Sequence, residues 1–183
     1  MLEIILNLSS EKTTSEFGKK ISKTLKVWDI IYLSGEMGAG KTTLARSIIK
    51  SLLPDKLKNI EIPSPTFTLV QTYQGKDFDI GHADLYRIEN SNELEALGIE
   101  DILFNGAVII EWADKIKNKL NYNILDIEIS FSEENRIAKI KNIQGWEGRI
   151  KKFSKQVIKL LKQMEYLIVK LMESIMDFDT HIR

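Results

Sequence analysis

The stretch LSGEMGAGKTTLARS at residues 33–47 decides the fold. Residues 35–42 match the phosphate-binding loop pattern, in which a glycine and four further residues precede Gly-Lys-Thr. The run WDIIYLSG (28–35) before it is short, apolar and continuous, which is typical of a buried parallel strand. The residues from Lys41 to about Leu53 predict a helix that stops at Pro54. A strand, a glycine-rich loop and a helix in this order predict a nucleotide-binding P-loop.

Composition sets the outer limits of the interpretation. The chain has 183 residues, with 26 basic and 26 acidic side chains and no cysteine. This length predicts one domain with an appendage, and the balanced charge favours no particular partner. The lack of cysteine excludes disulfides, zinc-thiolate sites and thiol catalysis. We see neither a signal peptide nor an apolar run of about 18 residues, so we expect a cytoplasmic protein without a membrane segment.

Hydrophobic periodicity predicts an α/β fold beyond the loop. Short apolar or alternating runs predict strands, and apolar residues three or four apart predict helices. The predicted strands are 2–8, 28–35, 64–74, 77–88, 106–114, 123–131 and 136–143, and the predicted helices are 13–25, 41–53 and 90–98. A hairpin is expected at Gly75-Lys76. We therefore predict a three-layer αβα, P-loop NTPase-like domain with a mixed central sheet over residues 1–148.

The last part of the chain has a different pattern. Apolar side chains alternate at intervals of three and four from Ile150 to Leu171, which predicts a helix of about 25 residues. Residues 149–183 are therefore predicted to form a helical extension packed on the domain or projecting from it. The heptad-like spacing leaves homodimerisation open, and the basic residues around 136–163 leave RNA contact open.

The loop residues carry the phosphate chemistry. Backbone N–H groups of such a loop wrap the β-phosphate, and the following helix adds partial positive charge. Lys41 is expected to reach the β- and γ-phosphate oxygens, and the Thr42 hydroxyl is the expected ligand of Mg²⁺. Thr43 has either a functional or a purely helical role. The predicted nucleotide contacts here are Gly35, Met37, Gly38, Ala39, Gly40, Lys41, Thr42 and Thr43.

Two acidic residues close short runs within the predicted strands 106–114 and 77–88. Glu111 ends the apolar run AVIIE, and Asp84 ends DIGHAD. Phosphoryl transfer needs carboxylates that hold Mg²⁺ and orient water, and an unpaired buried acid is costly. We therefore predict Lys41, Asp84 and Glu111 as catalytic residues, with Thr42 and Glu111 as metal ligands. The alternative is that the two acids are satisfied residues at a sheet edge.

Four further residues are candidates around these acids. Ser64 and Thr66 flank Pro65, which holds the preceding residue extended, and they either resemble a switch that senses the γ-phosphate or mark a simple strand entry. His82 either positions water or makes a structural hydrogen bond. Trp112, next to Glu111, is either a core residue or a cover for the site.

The nucleotide is expected to be ATP. Proteins that read guanine usually carry Asn-Lys-x-Asp, and the segment Asn118–Asn121 lacks the final aspartate. A small-molecule kinase would also need a lid with mobile arginines, and arginine is scarce here. This kinase activity is the alternative function.

Five motifs together resemble one family. GEMGAGKTT, SPTFTLV, HADLYR, ELEALGIED and VIIEW occur in this order, and over roughly residues 3–145 the chain resembles the TsaE family, the ATPase subunit of bacterial tRNA threonylcarbamoyladenosine biosynthesis. The phosphate loop alone is unspecific, whereas the other motifs are specific to this family.

The resemblance implies an ATPase that serves tRNA modification without performing the transfer. It would act through a threonylcarbamoyl-transferase heterodimer that modifies the adenosine 3′ of the anticodon in tRNAs reading ANN codons, and would contact tRNA indirectly or weakly. In the family, the positions of Thr42 and Glu111 hold Mg²⁺, and the position of Asp84 is needed at the active site. The positions near Glu11 and Arg136 contact nucleotide there, although neither has a distinctive local motif in this chain.

Two features depart from the family pattern. Ala113 follows Glu-Trp where the family usually has proline, and the chain continues beyond residue 160 to Arg183. The motifs offer no obvious arginine finger other than Arg87, so hydrolysis is expected to be slow without partners. A nucleotide-dependent binding module with negligible catalysis is a further alternative.

Overall fold

The computed structural model of the protein describes residues 4–89, 93, 96–116, 122–132, 135–142 and 145–150. The chain divides into two units, Met1–Trp146 and Glu147–Arg183. Of the second unit, residues 147–150 are described, and they are helical. The predicted tail helix therefore falls almost wholly outside the described residues. The domain boundary between residues 148 and 149 stays a prediction.

One mixed sheet organises the first unit. Its described strands are β1 (Ile4–Asn7), β2 (Asp29–Ser34), β3 (Val70–Gln74), β4 (Asp79–Asp84), β5 (Gly106–Glu111), β6 (Asn123–Ser132) and β7 (Asn135–Asn142). Their order across the sheet is β1-β7-β6-β2-β5-β4-β3. The four central strands, β6, β2, β5 and β4, are parallel, and antiparallel strands lie outside them. This confirms the mixed α/β sheet and the hairpin between β3 and β4.

Helices cover both faces of the sheet. Their bounds are α1 (Glu11–Ser22), α2 (Lys41–Leu52) and α3 (Ile99–Asn105), with 3₁₀ turns at Asp55–Leu57 and Ala113–Ile116. On one face, α3 packs on Tyr32 and Ile110 in a single apolar cluster. Residues next to these in β2 and β5 point to the opposite face, because side chains alternate along a strand. There α2 packs on β5, and α1 packs on α2. These three layers are the predicted architecture.

The central strands are buried for the reason expected of parallel strands. Every residue of β2 and of β5 is buried. Because helices cover both faces of the sheet, neither face of these strands is exposed to solvent, and their sequences are continuous apolar runs. Glu111 breaks this pattern at the last position of β5, which marks the carboxyl end of the sheet as the place for chemistry.

The predicted strand over 64–74 is wrong in its first half. Only Val70–Gln74 joins the sheet, and residues 66–68 form a turn. The hydroxyls of Ser64 and Thr66 bond to Asp84 instead of lying along a strand face. Local side-chain hydrogen bonds of this kind compete with sheet formation. The strands predicted over 77–88 and 106–114 likewise end early, at Asp84 and Glu111.

Helix α3 was not predicted. The helix predicted over 90–98 falls mostly on residues outside the described ranges, including its expected cap Asn90. Gly98, predicted to stop that helix, has φ 64° and occupies the N-cap of α3. Ile99, Ile102 and Leu103 have helical spacing, so the signal for α3 was present in the sequence. Among the described residues, none of the helices has the length and apolar character that a membrane span requires.

Candidate active site

The phosphate loop connects β2 to α2 at the carboxyl end of the parallel strands. Gly35 has φ 129°, a conformation that side chains rarely adopt, and a Cβ there would lie 2.0 Å from the carbonyl oxygen of Ile129. Gly38 has φ 76° and open space around it. Gly40 is the N-cap of α2 and provides no side-chain cap, so the first N–H groups of the helix are left for another acceptor. The loop therefore has the open backbone cradle that phosphate binding needs.

Lys41 is held at the base of this cradle. Its Nζ donates to the carbonyl oxygens of Gly35 and Glu36 at 2.7 and 2.8 Å. The same ammonium lies 3.7 Å from the centroid of the Trp112 ring. Burial lowers the pKa of Lys41 below its ordinary value, while the carboxylates of Glu111, Asp84 and Asp114 act in the opposite direction.

Glu111 is at the centre of the site. Its Oε2 accepts a hydrogen bond from Thr42 Oγ1 at 2.8 Å, and its Oε1 lies 2.8 Å from His82 Nε2. The side chain is only 2% exposed. Glu111 is paired with Asp84 in the β4–β5 register, so two carboxylates end adjacent parallel strands. The structure thus brings the predicted metal ligands Thr42 and Glu111 into contact.

Asp84 anchors the loop that precedes β3. Its Oδ2 lies 2.9 Å from Ser64 Oγ and 2.7 Å from Thr66 Oγ1, and these two hydroxyls are 2.9 Å apart. Each hydroxyl has one hydrogen, so two of these three contacts are hydrogen bonds at any one time. Asp84 Oδ1 accepts from the backbone N–H of Tyr86 at 2.9 Å. The predicted switch residues and the predicted catalytic acid are therefore one connected group.

Trp112 borders the site, with its ring beside the ammonium of Lys41. Its φ of 59° is unusual for a residue with a side chain, and such conformations concentrate at functional sites. Its ring lies 5.0 Å from that of Tyr86. Sequence reasoning missed Tyr86, although an aromatic residue two positions after Asp84 was visible in DLYR. Together they border a cavity of about 330 Å³, lined by Met37, Gly38, Gly40, Lys41, Thr42, Thr43, Ser64, Thr66, Asp84, Tyr86, Glu111 and Trp112.

The remaining predicted residues are not among those that line this cavity. Ala39 is fully buried within the loop, and His82 is buried behind Glu111, so neither lines the cavity wall. The side chain of Arg136 contacts the loop, where its Nη2 donates to the carbonyl oxygen of Gly38 at 3.4 Å. Glu11 is exposed in the first turn of α1. A backbone hydrogen bond from Leu8 to Arg136 connects the segment before α1 to β7.

The donor set fits Mg²⁺ bound together with phosphate. Thr42 offers a hydroxyl and Glu111 a carboxylate, which are hard oxygen ligands. In the described part of the chain, no group of three or more His, Asp or Glu side chains could hold a metal ion alone. Mg²⁺ suits such a site, because it commonly takes one or two protein ligands and completes its shell with phosphate oxygens and water.

Comparison with known proteins identifies close relatives. The profile of the family described as "Threonylcarbamoyl adenosine biosynthesis protein TsaE" matches residues 8–140. The tRNA threonylcarbamoyladenosine biosynthesis protein TsaE of Rickettsia typhi is 40% identical over 135 residues, which cover 73% of this chain and 92% of that protein. The protein of the same name from Aquifex aeolicus is 37% identical over 123 residues, covering 67% and 84% of the two chains.

A solved structure supports the fold independently. The crystal structure of YdiB from Bacillus subtilis superposes with a TM-score of 0.67 at 22% sequence identity. The match covers 85% of this chain and 96% of that one. At this level of identity the likeness concerns the fold alone.

Proposed function

Because this chain belongs to the TsaE family of tRNA threonylcarbamoyladenosine biosynthesis proteins, we propose that it binds ATP with Mg²⁺ and hydrolyses it in support of that modification. Family membership assigns the chain to tRNA threonylcarbamoyladenosine biosynthesis and makes it a nucleotide-binding protein. The observation that carries the proposal is the contact between Thr42 and Glu111 directly beside the phosphate loop. It joins the two oxygen ligands that a P-loop ATPase uses for its metal.

Each residue of the site has a role in this proposal. The loop N–H groups hold the β-phosphate, and Lys41 exchanges its bonds to Gly35 and Glu36 for phosphate oxygens. Thr42 and Glu111 hold Mg²⁺, which when bound would neutralise charge on the β- and γ-phosphates. Arg136 lies where it could contact the nucleotide beside Gly38, and Glu11 remains a candidate at the adjacent start of α1.

Asp84 couples the site to the Ser64–Thr66 segment. Both hydroxyls of that segment point at one carboxylate oxygen of Asp84, which itself lines the cavity. A γ-phosphate with its metal would compete for these hydroxyls and for Asp84. The segment would then change its contacts when the phosphate leaves, as the switch segments of other nucleotide-binding proteins do on hydrolysis.

The proposed partner is the two-subunit threonylcarbamoyl-transferase. No arginine is among the described residues that line the cavity, and Arg87 stacks 5.4 Å from the ring of Phe67. An arginine supplied at such a site accelerates hydrolysis strongly, so the isolated chain should hydrolyse ATP slowly. The transferase would complete the site or order the Ser64–Thr66 segment. Contact with tRNA would be indirect or weak, in the cytoplasm where tRNA is modified.

The two parts of the chain have different proposed roles. Residues 1–148 would form the ATPase domain, since they contain every residue of the candidate site. Residues 149–183 would form a helical extension, and their apolar spacing would allow a homodimer.

ATP hydrolysis by the full chain tests the proposal. Phosphate release is measured for the chain alone, with the transferase heterodimer, and with the heterodimer and tRNA. We expect strong stimulation by the partners and loss of at least about 10-fold in Glu111→Ala, as changes at metal sites produce. Glu16→Ala, an exposed change on α1, is the matched control. Unstimulated hydrolysis with phosphate transferred to a small molecule would contradict the proposal and favour a kinase.

A further inference from the structure

His82 is buried behind Glu111 at the candidate site. It lies in β4 with no exposed surface, and its Nε2 is 2.8 Å from Glu111 Oε1. His82 precedes Asp84 by two residues, so both side chains lie on the same face of the sheet. The register pairs Asp84 with Glu111, which makes His82 the diagonal neighbour of Glu111.

Glu111 is held from two directions because of this neighbour. His82 engages one carboxylate oxygen from β4, and Thr42 engages the other from the start of α2. A carboxylate held at both oxygens cannot rotate about its last side-chain bond without breaking a hydrogen bond. The contact to His82 therefore determines the direction in which Oε2 points toward Thr42.

A purely stabilising role explains His82 poorly. Its Nδ1 is buried and has no hydrogen-bond partner among the described residues. An unpaired buried polar atom such as this Nδ1 lowers stability. A histidine kept only for packing would be better replaced by leucine. The bond from Nε2 to Glu111 is the favourable contact that the ring makes here.

We propose that His82 is a positioning residue for the metal site, donating from Nε2 to Glu111 Oε1 and thereby fixing Glu111 Oε2 beside Thr42. This inference rests on the proposed function, since it assumes that Thr42 and Glu111 hold Mg²⁺. His82 itself would touch neither the metal nor the nucleotide. Hydrogen bonds behind a metal ligand commonly change metal affinity or activity by 10- to 100-fold when they are removed.

The test compares His82→Leu with His82→Gln in the full chain. Leucine fills much of the ring's volume without a donor, whereas the glutamine amide can place an N–H near the position of Nε2. Binding of a fluorescent N-methylanthraniloyl derivative of ATP is measured in EDTA and then during titration with Mg²⁺. We expect unchanged affinity in EDTA for both variants, a loss of about 10- to 100-fold in apparent Mg²⁺ affinity for His82→Leu, and a loss of only a few-fold for His82→Gln. Thermal unfolding of each variant reports folding separately.

A double-mutant cycle shows whether His82 acts through Glu111. If it does, His82→Leu adds little to the loss already caused by Glu111→Ala, because the interaction is gone in both. Equal losses in His82→Leu and His82→Gln, additive to Glu111→Ala, would overturn the inference and leave a packing role. Wild-type Mg²⁺ affinity in a folded His82→Leu would also overturn it. Failure of the wild-type chain to bind the nucleotide at all would instead overturn the proposed function, and the inference with it.

Discussion

Thr42 and Glu111 are 69 residues apart in the chain, yet Thr42 Oγ1 and Glu111 Oε2 are joined by a hydrogen bond of 2.8 Å. Thr42 lies in the first turn of α2, and Glu111 is the last residue of β5. Since β2 and β5 are parallel neighbours, their carboxyl ends lie at the same edge of the sheet, and the loop that follows β2 lies beside the end of β5. Sheet topology therefore assembles the proposed metal ligands from distant parts of the sequence.

Two substitutions of Thr42 distinguish the contribution of its hydroxyl group from that of its methyl group. In Thr42→Ala we expect the Mg²⁺-dependent gain in ATP affinity to fall about 10-fold or more, because the proposed oxygen ligand of the metal and the bond to Glu111 are both lost. Thr42→Ser keeps the hydroxyl and should stay within a few-fold of the wild type. Nucleotide binding with and without Mg²⁺ measures both variants. Equal affinities in Thr42→Ala and Thr42→Ser would show that the hydroxyl does not ligate the metal.

Local patterns explain what could be predicted from the sequence. The phosphate loop is defined by eight consecutive residues, and Glu111 and Asp84 each end a strand that local hydrophobicity predicts. The parallel central sheet follows from the continuous apolar runs. These features depend on neighbours in sequence, so no tertiary information was needed for them.

The missed features depend on contacts between distant residues. The strand predicted from Ser64 fails because two hydroxyls turn to Asp84, and nothing in the local sequence reveals that partner. The position of His82 behind Glu111 follows from the register of β4 against β5. Tyr86 reaches the cavity because the chain turns at the end of β4 and brings its ring to Trp112. Register and side-chain partners are tertiary properties, which periodicity does not contain.

The bond between Thr66 and Asp84 should control local opening of the loop before β3. Thr66→Val removes the hydroxyl with little change in volume. A hydrogen bond to a charged group contributes about 1.5–3 kcal/mol, so we expect amide exchange in this loop to increase about 10- to 100-fold. The Leu69 amide, which bonds to the Pro65 carbonyl oxygen at 2.6 Å, is the best reporter. Hydrogen exchange of the nucleotide-free protein measures it.

Thr68→Val is the matched control for that experiment. Thr68 is exposed in the same turn, and its side chain makes none of the bonds to Asp84 described above. Its substitution should leave exchange at Leu69 unchanged. Similar exchange in Thr66→Val and Thr68→Val would mean that Asp84 does not hold the loop closed.

Alanine at Gly35 should be more harmful than alanine at Gly38. Both positions have positive φ, which adds about 1–2 kcal/mol of strain for an alanine. At Gly38 the new methyl group would meet nothing within 4 Å, whereas at Gly35 it would lie 2.0 Å from a backbone oxygen of β6. We expect Gly38→Ala to destabilise by about 1–2 kcal/mol and Gly35→Ala by about 3 kcal/mol or more, since overpacking adds to strain. Denaturant unfolding measures both, and equal losses would contradict the close approach of Gly35 to β6.

Tyr32 should make the protein sensitive to alkaline pH. Its side chain is 2% exposed, and burial, with a further contribution from the charge of Asp126, raises its pKa to about 12. In the unfolded chain a tyrosine titrates near pH 10, so above that pH the folded state binds more protons than the unfolded state. The contribution of Tyr32 to stability is therefore complete below pH 10 and is lost as the pH rises through about 12.

Tyr32→Phe tests this in one comparison. The Tyr32 hydroxyl has no hydrogen-bond partner among the described residues, so its removal should leave the free energy of unfolding at pH 7 unchanged or slightly higher. Between pH 10 and 12 the wild type should lose up to about 1.4 kcal/mol per pH unit more than the variant. Urea unfolding at a series of pH values measures this difference. The contributions of the other tyrosines largely cancel, because both proteins contain them. Parallel curves, or a clear loss of stability in Tyr32→Phe at pH 7, would show that the hydroxyl is solvated or hydrogen-bonded in the folded protein.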